Sequence, residues 1–409
     1  MDTLYPHCAG LDVHKDSVVA CVRHAGPGGR PREEVRTFGT TTSELLALGD
    51  WLAAEGVTHA AMESTGVYWK PVWNLLEGRL ALMLVNAHHV KQVPGRKTDV
   101  KDCQWIARLL QHGLLKPSFV PDRPQRELRD LTRQRAQLVA DKARVSNRIQ
   151  KVLEDANVKL GSVASDVLGA SGRDMLRALI DGNADPAAMA ELARFRMRRK
   201  IPQLREALAG KVTDHHRFML RQLLEQVEHL DRQIATFDRR VEGVMSPLER
   251  EAVRRLDEVP GVEARSAQVI VAEVGTDMSR FPSGAHLASW AGLCPGNNES
   301  AGKRRGGKTG RGSRWLRATL CQCALAAGRK KGSYYSAQYR RIASRRGRKR
   351  AAIAVAHSQL VAIYHLLSGA DYHDLGAEHF GRLRPERLKH NLVSRLQNMG
   401  YKVTLEPAA

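Results

Sequence analysis

CAGLDVHKDSVVACVR, running from Cys8 to Arg23, decides the fold of the first third of this chain. It reads as two short strands. Successive side chains of a strand alternate, so Ala9, Leu11 and Val13 share one side while Gly10, Asp12 and His14 share the other. Outward from there, a third strand is predicted from Glu34 to Phe38. A helix follows the capping cluster Thr40, Thr41, Thr42 and Ser43, with Leu45, Leu46, Leu48 and Trp51 on its apolar side. A strand from Thr58 to Met62 ends at Glu63. Another helix begins near Tyr68, a strand runs from Leu80 to Val85, and a last helix starts near Thr98. The order β-β-β-α-β-α-β-α predicts an α/β unit around a mixed sheet.

Four acids stand out on this frame: Asp12 on the first strand, Glu63 at the end of a later one, and Asp99 with Asp102 at the start of the last helix. Residues three apart on a helix project from one side. Ile106, Leu109 and Leu110 continue down that side and would press it on the sheet, hanging both carboxylates near Asp12 and Glu63. Oxygen ligands in that number suit one or two Mg²⁺ ions, which orient an attacking oxygen and neutralise phosphate charge. Each acid also has an ordinary reading. A lone Asp on a strand is often an edge residue, Glu63 can simply precede the turn at Ser64, and Asp99 complements a helix dipole. Asp16 reads as a plain surface acid, and His88 with His89 as a surface pair.

The chain has 409 residues, enough for two or three units, and its hydrophobic fraction of 43% supports packed cores. Its formal net charge of +22 points to a polyanionic partner, most often nucleic acid. No long apolar run or signal peptide argues for a membrane, which predicts a cytoplasmic, nucleoid-associated protein. The six cysteines show no C-x-x-C pair and read as reduced thiols. Charge is concentrated: residues 301–350 hold 17 Lys or Arg and no Asp or Glu. A plain solvated face mixes both signs, so this tract reads as a phosphate-binding surface. Trp315, Tyr334, Tyr335 and Tyr339 within it either stack on bases or pack in a core.

The middle of the chain reads as two long helices, 124–158 and 213–245. In the second, Leu220, Leu223, Val227, Leu230, Ile234, Phe237, Val241 and Val244 alternate three and four apart, the spacing of a coiled-coil seam. The first carries Leu128, Leu131, Leu138, Val145, Ile149 and Val152, interrupted by Arg135 and Lys142. The two pair with each other or with another subunit. Between them, residues 160–212 read as a smaller helical insert. Downstream, VPGV (259–262) before an Ala- and Val-rich helix ending at Gly275 resembles a helix-hairpin-helix turn, which can offer backbone N–H groups to a phosphate. Ser300 then sits in an exposed polar loop after a Gly–Asn–Asn run. By spacing alone Ser283 and Ser313 compete with it as a nucleophile.

The ordered series GLDVHK (10–15), MESTGVY (62–68), KTDVKD (97–102), VPGV (259–262) and AGLCPGNNES (291–300) resembles the insertion-sequence family 110 transposases. These are also called DEDD transposases and are described as bridge-RNA-guided recombinases. The pieces span most of the chain outside 160–212 and are specific as a series, though each alone is weak. The resemblance implies a RuvC-like, ribonuclease-H-type domain (1–123), a coiled-coil helical region with its insert (124–250), and a mainly helical C-terminal transposase domain (251–370). A tail (371–409) follows. It implies metal binding by Asp12, Glu63, Asp99 and Asp102, and a nucleophile at Ser300. It further implies Mg²⁺, or Mn²⁺ in its place, a noncoding bridge RNA, donor and target DNA, and a homo-oligomer, a dimer joined into a tetramer on DNA. The insert makes the middle longer than in compact members.

The function expected on these grounds is RNA-guided DNA strand exchange through a phosphoserine link. Arg304, Arg305, Lys308, Arg311 and Arg314 would hold a nucleic-acid backbone. Ser300 and the acids lie on different predicted domains, which leaves an oligomer as the place where they would meet. The rival enzyme is a metal-dependent nuclease of junction-resolving type, with water as nucleophile. The non-enzymatic rival is a nucleic-acid-binding protein with a decayed site.

Overall fold

The computed structural model describes residues 3–26, 31–64, 66–87, 90, 102–183, 185–295, 298–300, 303–306, 309–310, 312–383 and 385–405. The chain divides into two compact units, Met1–Pro121 and Asp122–Ala409.

In the first unit, strands β1 (His7–Val13), β2 (Ser17–His24), β3 (Arg32–Gly39), β4 (His59–Glu63) and β5 (Ala81–Val85) form one sheet in the order β3-β2-β1-β4-β5. The first three are antiparallel neighbours, while β1, β4 and β5 run parallel. Helices α1 (Thr42–Ala54) and α2 (Trp69–Leu76) and the described part of α3 (Asp102–Gln111) complete the expected order. Thr41 caps α1, its hydroxyl accepting from the Glu44 backbone N–H, as the threonine cluster predicts. The alternation along β1 is obeyed. Ala9, Leu11 and Val13 join Leu45, Leu48, Leu52, Val72 and Leu76 in the core under α1 and α2. Cys8, on the other face, joins Ala61, Val85, Ile106, Leu109 and Leu110 under α3. The sheet is thus covered on both faces. The expected helix start near Thr98, with Asp99, His88 and His89, lies outside the described residues.

The second unit is mainly helical. Helix α4 (Arg123–Asp155) and helix α9 (Asp214–Val244) are the two long helices, and they pack along each other within one chain. Leu138, Val145, Ile149 and Leu153 meet Leu220, Leu223, Leu224, Val227 and Leu230 in one core. Arg135 and Lys142, which break the apolar seam in sequence, have a physical role. Arg135 pairs with Asp238, and Lys142 Nζ lies 2.5 Å from Asp231. Both pairs are seven residues apart on their helices and run in opposite directions, so the helices are antiparallel. At the far end His216 Nε2 meets Asp155 at 2.9 Å. Val244 departs from the expected seam. It is 39% exposed because the apolar contact passes at Val241 to the C-terminal core.

The insert is built from α5 (Leu160–Val163), α6 (Ala170–Ile180), α7 (Pro186–Ala190), a 3₁₀ turn (Phe195–Lys200) and α8 (Ile201–Leu208). It closes over the end of the long pair, sharing its core through Met175, Leu176, Leu179, Met189 and Leu204.

The C-terminal part comprises α10 (Pro247–Leu256), α11 (Ala264–Val274), α12 (Gly284–Trp290), the hairpin β6 (Asn298–Ser300) and β7 (Lys303–Gly306), and α13 (Arg314–Ala327). It continues through α14 (Tyr334–Arg346), α15 (Arg348–Leu367), α16 (His379–Arg382) and α17 (Pro385–Asn398). The VPGV turn between α10 and α11 is packed inward. Val259 and Val262 are buried, and their N–H groups are bonded to Leu256 O and Val259 O. Those two N–H groups are therefore not presented to a phosphate. Gly261 has φ 84°, and a Cβ there would lie 2.3 Å from Cys323 O and 2.6 Å from Ala327 N. Only glycine fits, for its left-handed backbone and for the close approach. In the tail, the Phe380 ring stacks on Tyr334 at 5.0 Å and lies under the Arg341 guanidinium.

Candidate active site

The acids are gathered by backbone register. Strands β1 and β4 are parallel, with Gly10 opposite Ala61 and Leu11 opposite Met62. The next residues, Asp12 and Glu63, thus stand side by side at the same ends of neighbouring strands. Ala61 faces α3, so Glu63, two positions on, shares that face, as Asp12 does with Gly10. Helix α3 crosses over this spot. A Cβ on Gly10 would lie 2.1 Å from Cys103 O and 2.4 Å from Ala107 N. Cys8 Sγ approaches Ala107 O at 3.5 Å, so α3 runs back along β1 from Gly10 towards Cys8. Its first described residue, Asp102, therefore falls beyond Gly10, towards the Asp12 and Glu63 end of the sheet.

Asp12 Oδ2 lies 3.1 Å from His14 Nε2, and its side chain is 23% exposed. Among the described residues, no three His, Cys, Asp or Glu side chains gather closely enough to hold a metal ion. Asp99 lies outside them. The three described acids thus share a face through their backbones. As a donor set, hard carboxylate oxygens fit Mg²⁺ or Mn²⁺ rather than a soft metal. Beneath them the floor is apolar. Burial pushes the Cys21 thiol up to about 12 and Cys8 to about 11, and Cys21 packs with Cys103 and Ala107. All six cysteines are free thiols.

Ser300 closes strand β6, opposite Lys303 on β7, rather than sitting in the open loop that the sequence suggests. Its side chain lies outside what the structure describes, as do those of Arg304 and Arg305; Lys308 and Arg311 lie outside the described residues. The arms of this hairpin are drawn together at its base. Pro295 bridges Thr309, and Gly312 approaches Ala291 and Gly292 so closely that a Cβ would overlap their backbone. The two competing serines have other work. Ser283 Oγ caps α12 by accepting from His286 N, and Ser313 Oγ caps α13 by accepting from Leu316 N.

A buried carboxylate secures that base, and sequence reasoning missed it. Glu273 is 1% exposed on α11. It takes both arms of the Arg133 guanidinium, Nε at 2.7 Å and Nη2 at 2.9 Å. Ser313 Oγ donates at 2.9 Å to Oε2, the oxygen that also accepts from Arg133 Nη2, tying the start of α13 to the same group. One turn away, Arg129 donates to Ala272 O and Glu273 O; burial pushes its guanidinium down to about 10 against the pull of Glu273. A signal was available: one Glu in the run VIVAEVG, matched by arginines four apart at 129 and 133.

The aromatics of the basic tract divide. Tyr335 is buried, and Tyr334 and Tyr339 pack against the same core. Trp315 is half-buried outside it, with the exposed Arg314 guanidinium 4.7 Å from its ring centre. Arg314–Trp315 is thus the described part of the tract that presents charge and a ring together.

Comparison with known proteins bears on both units. Residues 9–158 match a family model described as a transposase, and residues 253–340 match the transposase IS116/IS110/IS902 family. A protein of insertion element IS116 from Streptomyces clavuligerus, itself uncharacterized, is 28% identical over 356 residues, 76% of this chain and 86% of the relative. An uncharacterized protein of insertion element IS110 from Streptomyces coelicolor is 29% identical over 279 residues, covering 60% of this chain and 65% of the relative. The transposase for insertion sequence element IS1111A of Coxiella burnetii is 24% identical over 301 residues, covering 72% and 73%.

Proposed function

Because the chain belongs to the IS110/IS116 family of transposases, enzymes that cut and rejoin DNA for an insertion sequence, we propose that it does so through a serine-linked DNA intermediate guided by RNA. The observation that carries the reading is the shared face of Asp12, Glu63 and Asp102 at one end of the sheet, in a chain whose downstream hairpin carries Ser300. The N-terminal unit is read as RuvC-like and the long antiparallel pair as the family's coiled coil.

Ser300 Oγ attacks a DNA phosphorus, a P–O bond of the strand breaks, and the leaving strand departs with a free hydroxyl. In net terms the serine proton ends on the leaving oxygen. The phosphoserine ester keeps the bond energy, so a hydroxyl of another strand can reverse the step and join without ATP. Asp12, Glu63, Asp99 and Asp102 would hold Mg²⁺, or Mn²⁺, which when bound neutralises charge on the reacting phosphate. Arg304, Arg305, Lys308, Arg311 and Arg314 hold the nucleic-acid backbone. A bridge RNA pairs with donor and target DNA, and the chain works as a dimer that forms a tetramer on DNA. No helix among the described residues is long and apolar enough to cross a membrane.

The test is a denaturing gel of end-labelled element DNA incubated with full-length protein and Mg²⁺. The wild type is expected to shift label into a protein adduct. Ser300→Ala should lose the adduct and keep DNA binding, and Asp12→Ala should lose cleavage. An adduct that survives Ser300→Ala overturns the nucleophile. Cleaved DNA without any adduct points to water as the nucleophile instead. Sequencing RNA that copurifies with the protein tests guidance: it should pair with the ends of the element.

A further inference from the structure

We propose that the 3₁₀ turn Phe195–Lys200 on the insert is a binding site for unpaired nucleic acid, with Phe195 stacking on a base and Arg196 and Arg199 meeting its phosphates. The site goes beyond the reading above. It lies outside both matched family stretches and does not depend on the nucleophile.

Phe195 is 89% exposed, the most exposed of the large apolar side chains described in this chain. Its backbone has φ 51°, one of two positive values among the described non-glycine residues. A bulky residue in the left-handed region is disfavoured and persists where its surroundings hold it. The surroundings here do so. Ala193 before it is buried, and Met197 after it packs against the insert core. The Arg194 N–H donates to Ser171 Oγ at 2.9 Å, and the Arg194 side chain pairs with Asp174. Lys200 Nζ donates to Val163 O at 2.8 Å. Both flanks are clamped, so the ring is held out in water instead of folding back onto the apolar core beside it.

The charge beside the ring selects the partner. The segment reads RFRMRRK from Arg194 to Lys200. Arg194 is neutralised by Asp174, and Arg198 stands 3.6 Å from Glu191. Arg196 and Arg199 are exposed, and no ion pair is found for them among the described residues. A protein partner met by a lone ring would want an apolar pocket. A ring followed by two unneutralised guanidinium groups, one at the next position and one a turn further on, suits a single strand, whose bases offer π-faces and whose phosphates offer charge. In a duplex the bases are already stacked, so the ring would have no face to meet.

The experiment titrates full-length protein against fluorescein-labelled RNA and DNA single strands of one mixed sequence, and against the DNA duplex, across a salt series. Phe195→Ala is expected to weaken single-strand binding roughly tenfold, within the range for one lost base stack, and to leave duplex binding unchanged. Phe195→Tyr should restore it. Arg196→Ala with Arg199→Ala should lower the log–log salt slope by roughly 1.4, as two lost phosphate contacts predict for a single strand. A stronger effect on RNA assigns the site to RNA, and an equal effect assigns it to unpaired strands of either kind. Unchanged single-strand affinity in Phe195→Ala, or an equal loss on duplex, overturns the proposal. So does a change in sedimenting mass with no change in affinity, which would make this face a contact between copies. The two readings fail separately, because Ser300→Ala is scored on covalent adducts and Phe195→Ala on affinity.

Discussion

Gly10 and Gly261 occupy the same kind of seat in the two units. Each lies against a helix so closely that a Cβ would overlap a carbonyl oxygen and the N–H four residues on, Cys103 with Ala107 in one case and Cys323 with Ala327 in the other. The difference is in what surrounds the seat. Gly10 is an ordinary strand residue, and its contact sets where Asp102 falls relative to Asp12. Gly261 is also left-handed, and the core around it is further tied by the Glu273 cluster. One seat positions the acids proposed to hold metal; the other shares a structural load with the Glu273–Arg133 ion pair.

The largest effect should come from removing that second tie. Glu273→Ala leaves the Arg133 arm and the Ser313 hydroxyl without their acceptor, and losing one partner of a buried pair costs about 3–5 kcal/mol. Urea unfolding of the full chain should show the loss in the transition that reports the C-terminal helices. A loss below about 1 kcal/mol, within the range of exposed pairs, would mean that the glycine seat alone holds this core. Gly261→Ala comes next. Overpacking of about 1–3 kcal/mol adds to roughly 1 kcal/mol for a left-handed alanine. Gly10→Ala should cost about 1–3 kcal/mol in the N-terminal unit, from overpacking alone. Its cleavage rate should fall roughly a hundredfold, because a shift of about 1 Å in a positioned group costs that much. Full activity with α3 displaced would break the comparison, since the seat would then not place the acids.

The smallest effect at neutral pH is the thiol floor under α3. Burial raises Cys21 in the folded state to about 12, above its ordinary value of 9.0. Below pH 9 both states carry the thiol protonated, and this contribution is fully present. Between pH 9 and about 12 the unfolded chain ionises first, so stability should fall as pH rises through that window. Alkaline unfolding followed by circular dichroism should show the decline, and Cys21→Ala should flatten it. A variant that declines as steeply as the wild type would remove Cys21 from the account.

The N-terminal fold was legible because strand alternation and helix caps are local. Ala9, Leu11 and Val13 declare one face, and Thr41 declares a helix start. The pairing of Asp12 with Glu63 was legible only as a convergence at a sheet end; the register that makes them neighbours comes from long-range strand pairing. In the middle, Arg135 and Lys142 looked like flaws in a seam. They are its cross-links, a role that needs Asp238 and Asp231 opposite them. Glu273 was passed over because periodicity treats a lone acid in an apolar run as noise. Its partners lie far off in sequence, Arg133 140 positions upstream and Ser313 40 downstream. Ser300 shows the limit most plainly. A hairpin of a few residues has no period, and its choice over Ser283 and Ser313 rested on resemblance. The structure adds that those two hydroxyls are engaged as helix caps.

The antiparallel pair also sets where the insert is carried. Asp231 on α9 takes Lys142 of α4 and Arg173 of the insert together, and Arg177 reaches Glu228 one turn away, so the insert is pinned along the flank of the pair. Helix α4 is tied to the C-terminal core at Arg133. From there to Lys142 the helix rises roughly 14 Å at 1.5 Å per residue. That short stretch is the lever between core and insert, and adding or deleting a heptad there in both helices would carry the insert bodily along the axis.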